Sequence, residues 1–425
     1  MLDIQLIREN TAVVKEAVRR KKFQVDIDEL LEVDRQRLAI LGTCEQLRAQ
    51  RNEVSARIPK MQGEEKQAAI ADMRTVRETL SEKETALRDL EIRFETLMLS
   101  VPGLPVEGIP DGTGDEDNVE VRRVGDEPNF DFEPLDHVTL CKNLGLADFE
   151  RATRFAGGRS YLLTGHGAML EYAVTRFAMD HLMTQGFTPV VAPLLVTDKA
   201  MVGTGFFPLG REDTYAMEKD ELYLVGTSEV PLCSIHREEI LDADELPKRY
   251  AGWSTCFRRE AGSYGKDTRG LYRVHQFQKV EQVSIIEADE TLSLEEHHRL
   301  LGNSEQILQA LGLPYRVAVA CTGELGMGQV RKHEIESWMP SRAAYCETHS
   351  CSSLHDFQAR RSKIRYRRSA GEKPRFCHTL NNTAIASPRI LIPLLENNQR
   401  ADGSVVIPEV LRPYMNGLAA LEPHD

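Results

Sequence analysis

The sequence predicts an α+β protein in two unlike parts: an N-terminal antiparallel helical hairpin, and a larger domain built on a mostly antiparallel sheet flanked by helices. Three observations predict it. Apolar residues recur every seven positions through 28–100. A Pro/Gly/Asp-rich stretch at 101–118 interrupts every periodicity. Beyond it, strand and helix patterns follow one another without the regular alternation of a doubly wound parallel sheet.

Composition bounds the rest. A chain of 425 residues is too long for one small core, so two or more domains are expected. Apolar content of 41% and charged content of 28% are ordinary for a soluble globular protein. No apolar run approaches the ~20 residues of a membrane span. The start of the chain lacks the basic-then-apolar order of a secretory signal. Eight cysteines are scattered with no C-x-x-C pair, which predicts reduced thiols and a cytoplasmic location. The net charge of −13 argues against a general nucleic-acid binder but leaves room for a local basic surface.

In chain order, Ile4, Ile7, Val13, Val14, Ala17 and Val18 predict one short amphipathic helix over 1–22, ending in a basic run that suits a helix C-terminus. Val33, Ile40, Leu47 and Val54 then form one heptad seam and Leu30, Cys44 and Ile58 the other, interrupted by Arg37 and Arg51. Pro59 to Gly63 breaks the pattern. It resumes with Met73, Leu80, Leu87, Phe94 and Val101, and with Val76, Leu90 and Leu97, Lys83 being the exception. Two such helices make a coiled-coil arm of roughly 45 Å that projects from the body. Its first helix carries six basic and three acidic residues over 33–60, a net +3 in an acidic chain. That is a handle for a phosphate backbone or an ordinary solvated coiled coil.

After the linker, 168–185 reads as an amphipathic helix, and 186–196 as a strand that Pro189 and Pro193 confine to an edge or interface. Further strands are expected at 221–230, 253–260, 271–284 and 314–321, and helices at 291–311 and 390–397. The stretch 256–282 reads as a hairpin with a Gly-rich charged loop. On its return limb Arg273, Phe277 and Glu281 are four apart, an arginine, an aromatic face and a carboxylate at one sheet edge. Those groups suit phosphate, a flat base and an ammonium group. No phosphate-binding G-x-x-x-x-G-K-[ST] loop and no strand-GxGxxG-helix is present; Gly262 to Thr268 imitates the former with the wrong spacing.

Three more polar clusters accompany the hairpin: Thr227-Ser228-Glu229; Tyr345 to Ser352 with Asp356 to Arg361; and Leu380 to Arg389. Phe257, Arg258, Glu260, Arg273, Phe277 and Glu281 fit the second signature motif of the class II aminoacyl-tRNA synthetases, with the motif spanning 253–282. Residues 168–196, including Pro193, resemble motif 1, and 380–398, with Arg389 in a strand-to-helix turn, resemble motif 3. Within that class, Thr-Ser-Glu, Glu-Thr-His-Ser-Cys-Ser, Asp-Phe-Gln-Ala-Arg-Arg and the heptad arm resemble the seryl-tRNA synthetases, over essentially the whole chain and in the expected order.

The resemblance implies a tRNA-binding domain over 1–105 and a catalytic domain over 106–425. It implies a homodimer formed through motif 1, with ATP, L-serine and tRNA(Ser) as substrates, Mg²⁺ as cofactor, and tRNA(Sec) as a second acceptor. Arg258 and Arg389 would hold the ATP phosphates as the catalytic pair, because guanidinium forks combine fixed charge with directed hydrogen bonds. Phe277 would stack on adenine, and Glu260 with the backbone of Val274 would read its edge. Arg259, Arg273, Thr348 and His349 complete the implied ATP contacts. Glu347 and Ser350 would serve a Mg²⁺ ion shared with phosphate oxygens. Thr227, Ser228, Glu229, Glu281 and Thr383 would form the serine pocket, and Arg35, Arg48 and Arg57 would meet tRNA.

Three departures from the family pattern concern fine positioning: Cys346 where many relatives carry arginine, His333-Glu334 in place of an aromatic-Asp pair, and Ser353 in place of a frequent Asn. Cys346, His349, Cys351 and His355 have spacings that match no common zinc pattern. Two other readings stay open here: a serine-adenylating relative that serves a carrier protein or a specialised pathway, and a non-catalytic tRNA-binding protein. The intact arm speaks against the first, and the joint presence of Arg258, Glu281, Glu347 and Arg389 against the second.

Overall fold

The computed structural model describes residues 1–262 and 269–423, so most of the loop containing Gly265 and Thr268 lies outside the described residues. The chain forms two compact units, Met1–Pro102 and Gly103–Asp425.

In the first unit, 1–22 is two helices, Ile4–Glu9 and Thr11–Arg20, rather than one. Asn10 leaves helical geometry (φ −126°, ψ 40°), and the Thr11 hydroxyl donates to the Ile7 carbonyl at 2.9 Å across the break. Asp26 caps the next helix, Ile27–Arg57, by accepting from the backbone N–H groups of Asp28 and Glu29. Gly63–Ser100 returns alongside it. The heptad seams meet as the sequence predicts: Cys44, Leu80 and Leu87 are buried together, with Ile40, Leu41 and Leu47 packed against them. Arg37, which interrupts the seam, lies 4.5 Å from the centroid of the Phe94 ring and donates to the buried Asp34 carboxylate at 3.0 Å. Asp34 also accepts from Arg8 Nε at 2.8 Å, so this acid inside the coil is doubly compensated.

The second unit is built on an eight-stranded sheet. Its strands are β1 (Val119–Val124), β2 (Thr188–Val190), β3 (Lys248–Phe257), β4 (Gln276–Ile286), β5 (Tyr315–Val319), β6 (Arg331–Met339), β7 (Ala344–His355) and β8 (His378–Ser387). Their spatial order is β1-β5-β6-β7-β8-β4-β3-β2, antiparallel throughout except for the parallel pair β2 and β3. Helices His166–Thr184 and Glu290–Ala310 supply Leu170, Val174, Leu300 and Leu308 to the core, which they share with Val280, Ile335 and Leu380 of the sheet.

Alternation along β4 sets the two faces. Gln282 points toward the helix Glu290–Ala310 and donates to the Leu300 carbonyl at 3.3 Å. Phe277, Lys279 and Glu281 line the cleft described below.

Four further sequence expectations need correction. The period-two pattern at Tyr272–His275 is not strand; β4 starts at Gln276, because His275 instead ties loops together, donating its N–H to Arg159 and accepting from the N–H of Arg258. Arg273 therefore lies off the strand, and β4 is interior, between β8 and β3, rather than at a sheet edge. The stretch 186–196 divides into β2 and a separate strand, Leu195–Thr197, that joins a three-stranded sheet, since its prolines prevent continuous pairing. The strand before Thr227 is only Leu222–Leu224, and Thr227 and Ser228 lead into the helix Glu229–Ser234.

Candidate active site

A cleft of about 420 Å³ opens on the β4–β8–β7 surface of the sheet. It gathers most of the residues the sequence singles out. Arg258, Glu260, Arg273, Val274 and Phe277 come from the hairpin, Thr227 and Glu229 from the helix entry, Glu281 from β4, Glu347 to Ser350 from β7, and Thr383 and Arg389 from β8 and the turn after it. Two are not brought in. Ser228 is fully buried and donates to the Gly252 carbonyl at 3.2 Å, where a Cβ on residue 252 would collide with its hydroxyl. Arg259 donates to the Glu212 carbonyl at 3.0 Å, outside the cleft lining.

One end of the cleft is cationic. Arg258 donates Nε to the Gly226 carbonyl at 3.3 Å, and its guanidinium lies 5.2 Å from the Phe277 ring centroid. Arg389 donates Nε to the Tyr272 carbonyl and one terminal nitrogen to the Glu347 carbonyl, each at 3.1 Å. Arg273 donates to the Glu260 carboxylate at 2.7 Å, which links the two limbs of the hairpin. Glu260 sits at φ +55°, a left-handed geometry that bends the chain out of β3. Lys332 and Glu334 form an ion pair on β6 beside these groups.

The Glu347 carboxylate has 42% of its side-chain surface open to the cleft. Its burial among protein atoms would raise its pKa, but Arg389, Lys332, Arg258 and Arg273 together hold it below the usual carboxylate range. An ionised carboxylate near the Ser350 hydroxyl is a hard-oxygen donor set that fits a magnesium ion whose remaining partners are phosphate oxygens and water. Among the described residues no group of three or more His, Cys, Asp or Glu side chains forms a closed cage. His349 is kept neutral by burial, its pKa lowered to about 4.

The other end is acidic and nearly dry. Glu229 is 9% exposed, and its Oε1 accepts from Gln358 at 2.7 Å and Asn381 at 2.9 Å. Burial, with the nearby Glu281, raises its pKa to about 7. Glu281, 2% exposed, is ion-paired with Lys279, and the Thr383 hydroxyl donates to it at 3.5 Å. Thr227 accepts from the Glu229 N–H at 3.2 Å, closing the rim. The space between these groups suits a small zwitterion whose ammonium meets carboxylates and whose hydroxyl finds a buried acceptor.

Sequence reading misses Lys279 and Lys332, and it gives no role to Asn381 and Gln358 although both stand in polar clusters it singles out. Lys279 could have been found, because on a strand it shares a face with Phe277 and Glu281. Asn381 and Gln358 become legible only once β8 and the helix Phe357–Ser362 converge on Glu229.

Residues 1–105 match the family described as "Seryl-tRNA synthetase N-terminal domain", and residues 214–398 match "tRNA synthetase class II core domain (G, H, P, S and T)". The chain is 49% identical over 421 residues to a serine–tRNA ligase of Deinococcus radiodurans, covering 99% of each. It is 44% identical over 420 residues to a serine–tRNA ligase of Thermodesulfovibrio yellowstonii, covering 98% of this chain and 99% of that one. The structure superposes on a Pyrococcus horikoshii seryl-tRNA synthetase complexed with ATP with a TM-score of 0.92 and 38% identity, covering 100% of each chain. Against a cytoplasmic serine–tRNA ligase of Naegleria fowleri in complex with AMP the TM-score is 0.86 at 32% identity, covering 100% of this chain and 99% of that one.

Proposed function

Because the chain belongs to the seryl-tRNA synthetase family and is a serine–tRNA ligase that binds ATP, we propose specific roles for the residues of its cleft. Arg258 and Arg389 hold the phosphates of ATP. Phe277 stacks on adenine, with the Arg258 guanidinium already lying over the same ring. Glu260 and the backbone of Val274 bound the base edge, and Arg273 steadies Glu260. Thr348 and His349 form the wall behind the nucleotide, with the Thr348 hydroxyl anchored to the Ile335 carbonyl at 3.2 Å.

Serine occupies the acidic end. Its ammonium meets Glu281, with Thr227 and Thr383 as neighbours, and its hydroxyl is received by the Oε2 side of Glu229, since both hydrogen bonds from protein fall on Oε1. A buried acceptor left unpaired by an analogue without a hydroxyl rejects alanine, by up to ~10⁴-fold where such sites are well formed. Threonine is excluded by the size of the pocket. A serine carboxylate oxygen attacks the α-phosphorus in line, and the bond to the pyrophosphate leaving group breaks. Positioning and the two arginines stabilise the charge that develops. A ribose hydroxyl of the terminal adenosine of tRNA then attacks the seryl carbonyl, and AMP leaves. Magnesium, held by Glu347 and Ser350, would add positive charge beside the phosphate oxygens.

The observation that carries this reading is that one cleft presents a cationic, aromatic end and a dry acidic end, adjacent and continuous. Residues 1–105 serve as the tRNA-binding domain and 106–425 as the catalytic domain, and Arg35, Arg48 and Arg57 contact tRNA(Ser). The same arm accepts tRNA(Sec). A homodimer forms through motif 1, where Tyr172, Met183 and Val191 are exposed apolar side chains, Val191 almost completely. Eight cysteines, all free thiols, support a reducing cytoplasm.

Serine-dependent exchange of pyrophosphate into ATP tests the adenylation roles. Arg258→Ala and Arg389→Ala should each lower exchange by at least about 100-fold, the scale of a lost group that stabilises transition-state charge. Exchange that survives both substitutions would remove the assignment of this cleft to ATP.

A further inference from the structure

Tyr272 lies at the inner end of the hairpin loop, and its ring carries two guanidinium groups: Arg342 at 4.0 Å from the ring centroid and Arg389 at 4.5 Å. Its backbone carbonyl also accepts from Arg389 Nε at 3.1 Å. Arg389 is thus gripped by one residue in two ways, by the π face and by the main chain. Its one remaining terminal nitrogen is free of the contacts made by Nε and by the nitrogen bonded to Glu347.

The elements on both sides of this stack converge on one buried carboxylate. Glu396, fully buried, sits on the helix Leu391–Asn397 that begins just after Arg389. It accepts from the Ser341 N–H at 3.0 Å and the Ser341 hydroxyl at 2.8 Å, which pins the turn Pro340–Arg342 that carries Arg342. It also accepts from His137, through the backbone N–H at 2.9 Å and the ring Nδ1 at 3.0 Å. The other ring nitrogen, Nε2, accepts from the Leu271 N–H at 3.3 Å, directly before Tyr272. A backbone N–H can only donate, so the tautomer assigned by these partners has its proton on Nδ1, toward Glu396. Gly270, at φ +78°, lets the loop approach: a Cβ there would lie 2.3 Å from His137 Nε2. One carboxylate therefore fixes the Arg342 turn, the Arg389 helix and the Tyr272 loop.

We infer that Tyr272 is a positioning residue for ATP, holding the Arg389 guanidinium in its phosphate-facing orientation through a stack that Arg342 completes. The inference rests on the reading of Arg389 as a phosphate ligand. Tyr272 acts through Arg389 and contributes no proton or bond to the reaction.

The test is steady-state pyrophosphate exchange on the full-length chain, with KM for ATP and for serine measured separately in Tyr272→Phe, Tyr272→Leu, Arg342→Met and Arg389→Ala. Tyr272→Leu should raise KM for ATP by about 5- to 10-fold, the scale of a partly desolvated cation–π contact, and leave KM for serine unchanged. Tyr272→Phe keeps the ring face and should remain within about 2-fold of the parent chain, because the contact uses the π face and not the hydroxyl. Arg342→Met should give a smaller rise in the same direction. Thermal unfolding of each variant identifies loss of fold directly. Equal damage from Phe and Leu, a parallel rise in KM for serine, or no effect of Leu would each overturn the inference. An Arg389→Ala variant with unchanged KM for ATP and unchanged rate would instead overturn the underlying assignment of Arg389, whatever Tyr272 does.

Discussion

Lys279 and Glu281 form an ion pair on the cleft face of β4, with exposures of 6% and 2%. A charge pair this dry persists only because each member compensates the other. It stands beside Glu229, so the acidic end of the cleft holds two carboxylates and one ammonium before any substrate arrives. In the proposed serine pocket, the substrate ammonium would add a second positive charge beside these carboxylates.

That balance predicts an asymmetric response to substitution. Lys279→Met leaves Glu281 buried without its partner and should destabilise the protein by about 3–5 kcal/mol, the usual cost of breaking a buried pair from one side. Lys279→Met combined with Glu281→Gln removes both charges and should recover most of that stability while serine-dependent exchange stays lost. Urea denaturation and exchange assays on the two variants separate the effects. A double variant no more stable than the single one would show that the pair does not carry the electrostatics assigned to it.

Glu229 gives the site a pH dependence whose sign is fixed. Its folded pKa, raised by burial and by Glu281 to about 7, exceeds the ordinary value of 4.5 that it regains on unfolding. Between those values the folded state holds a proton that the unfolded chain has released, so this group's contribution makes stability fall as pH rises from about 4.5 to about 7 and then level off. The full excursion is about 3 kcal/mol. Glu229→Gln has no such proton, and the stability difference between it and the parent chain should change by that order between about pH 5 and pH 8 in urea titrations. In the parent chain KM for serine should also rise as pH drops below about 7, because the protonated carboxyl is a poorer acceptor; a KM independent of pH over that range would sink the serine role of Glu229.

The arm and the longer helices of the second unit are legible because a single apolar periodicity runs through each of them. Cys44, Leu80 and Leu87 meet as the heptad requires, and the predicted helix at 291–311 is found as Glu290–Ala310. Alternation does not mark β6 or β7 as strands, and β8 is expected only through the strand-to-helix turn that the motif 3 resemblance implies. Their sequences are studded with polar side chains such as Glu334, Glu347, Ser350, Asn381 and Thr383, which are drawn inward by the cleft and by each other, so apolar alternation fails where function is densest. Two polar segments were still readable as chemistry because arginine, carboxylate and aromatic residues recur at fixed spacings around them. Tyr272–His275 shows the opposite failure: its alternation imitates a strand, yet its backbone partners are Arg159 and Arg258 of neighbouring loops and not a ladder.

The arm arginines lead to a prediction about tRNA. Arg35 is ion-paired with Glu32 at 2.6 Å, Arg48 with Glu84 at 2.8 Å and Arg57 with Glu53 at 3.9 Å, and all three side chains are largely exposed. Exposed pairs contribute little to folding, so a triple Arg35→Gln, Arg48→Gln, Arg57→Gln variant should unfold within about 1–2 kcal/mol of the parent chain. A phosphate that engages one of these arginines displaces counterions and competes with its glutamate. Removing all three should therefore weaken tRNA binding and reduce the slope of log K against log salt by about 2 to 3. Exchange, which needs no tRNA, should be unaltered in the same preparation. Binding isotherms at several salt concentrations decide the matter: an unchanged slope would mean that these three arginines of Ile27–Arg57, a helix with five basic and six acidic residues, are solvated surface groups, and that tRNA is held by other residues of the chain.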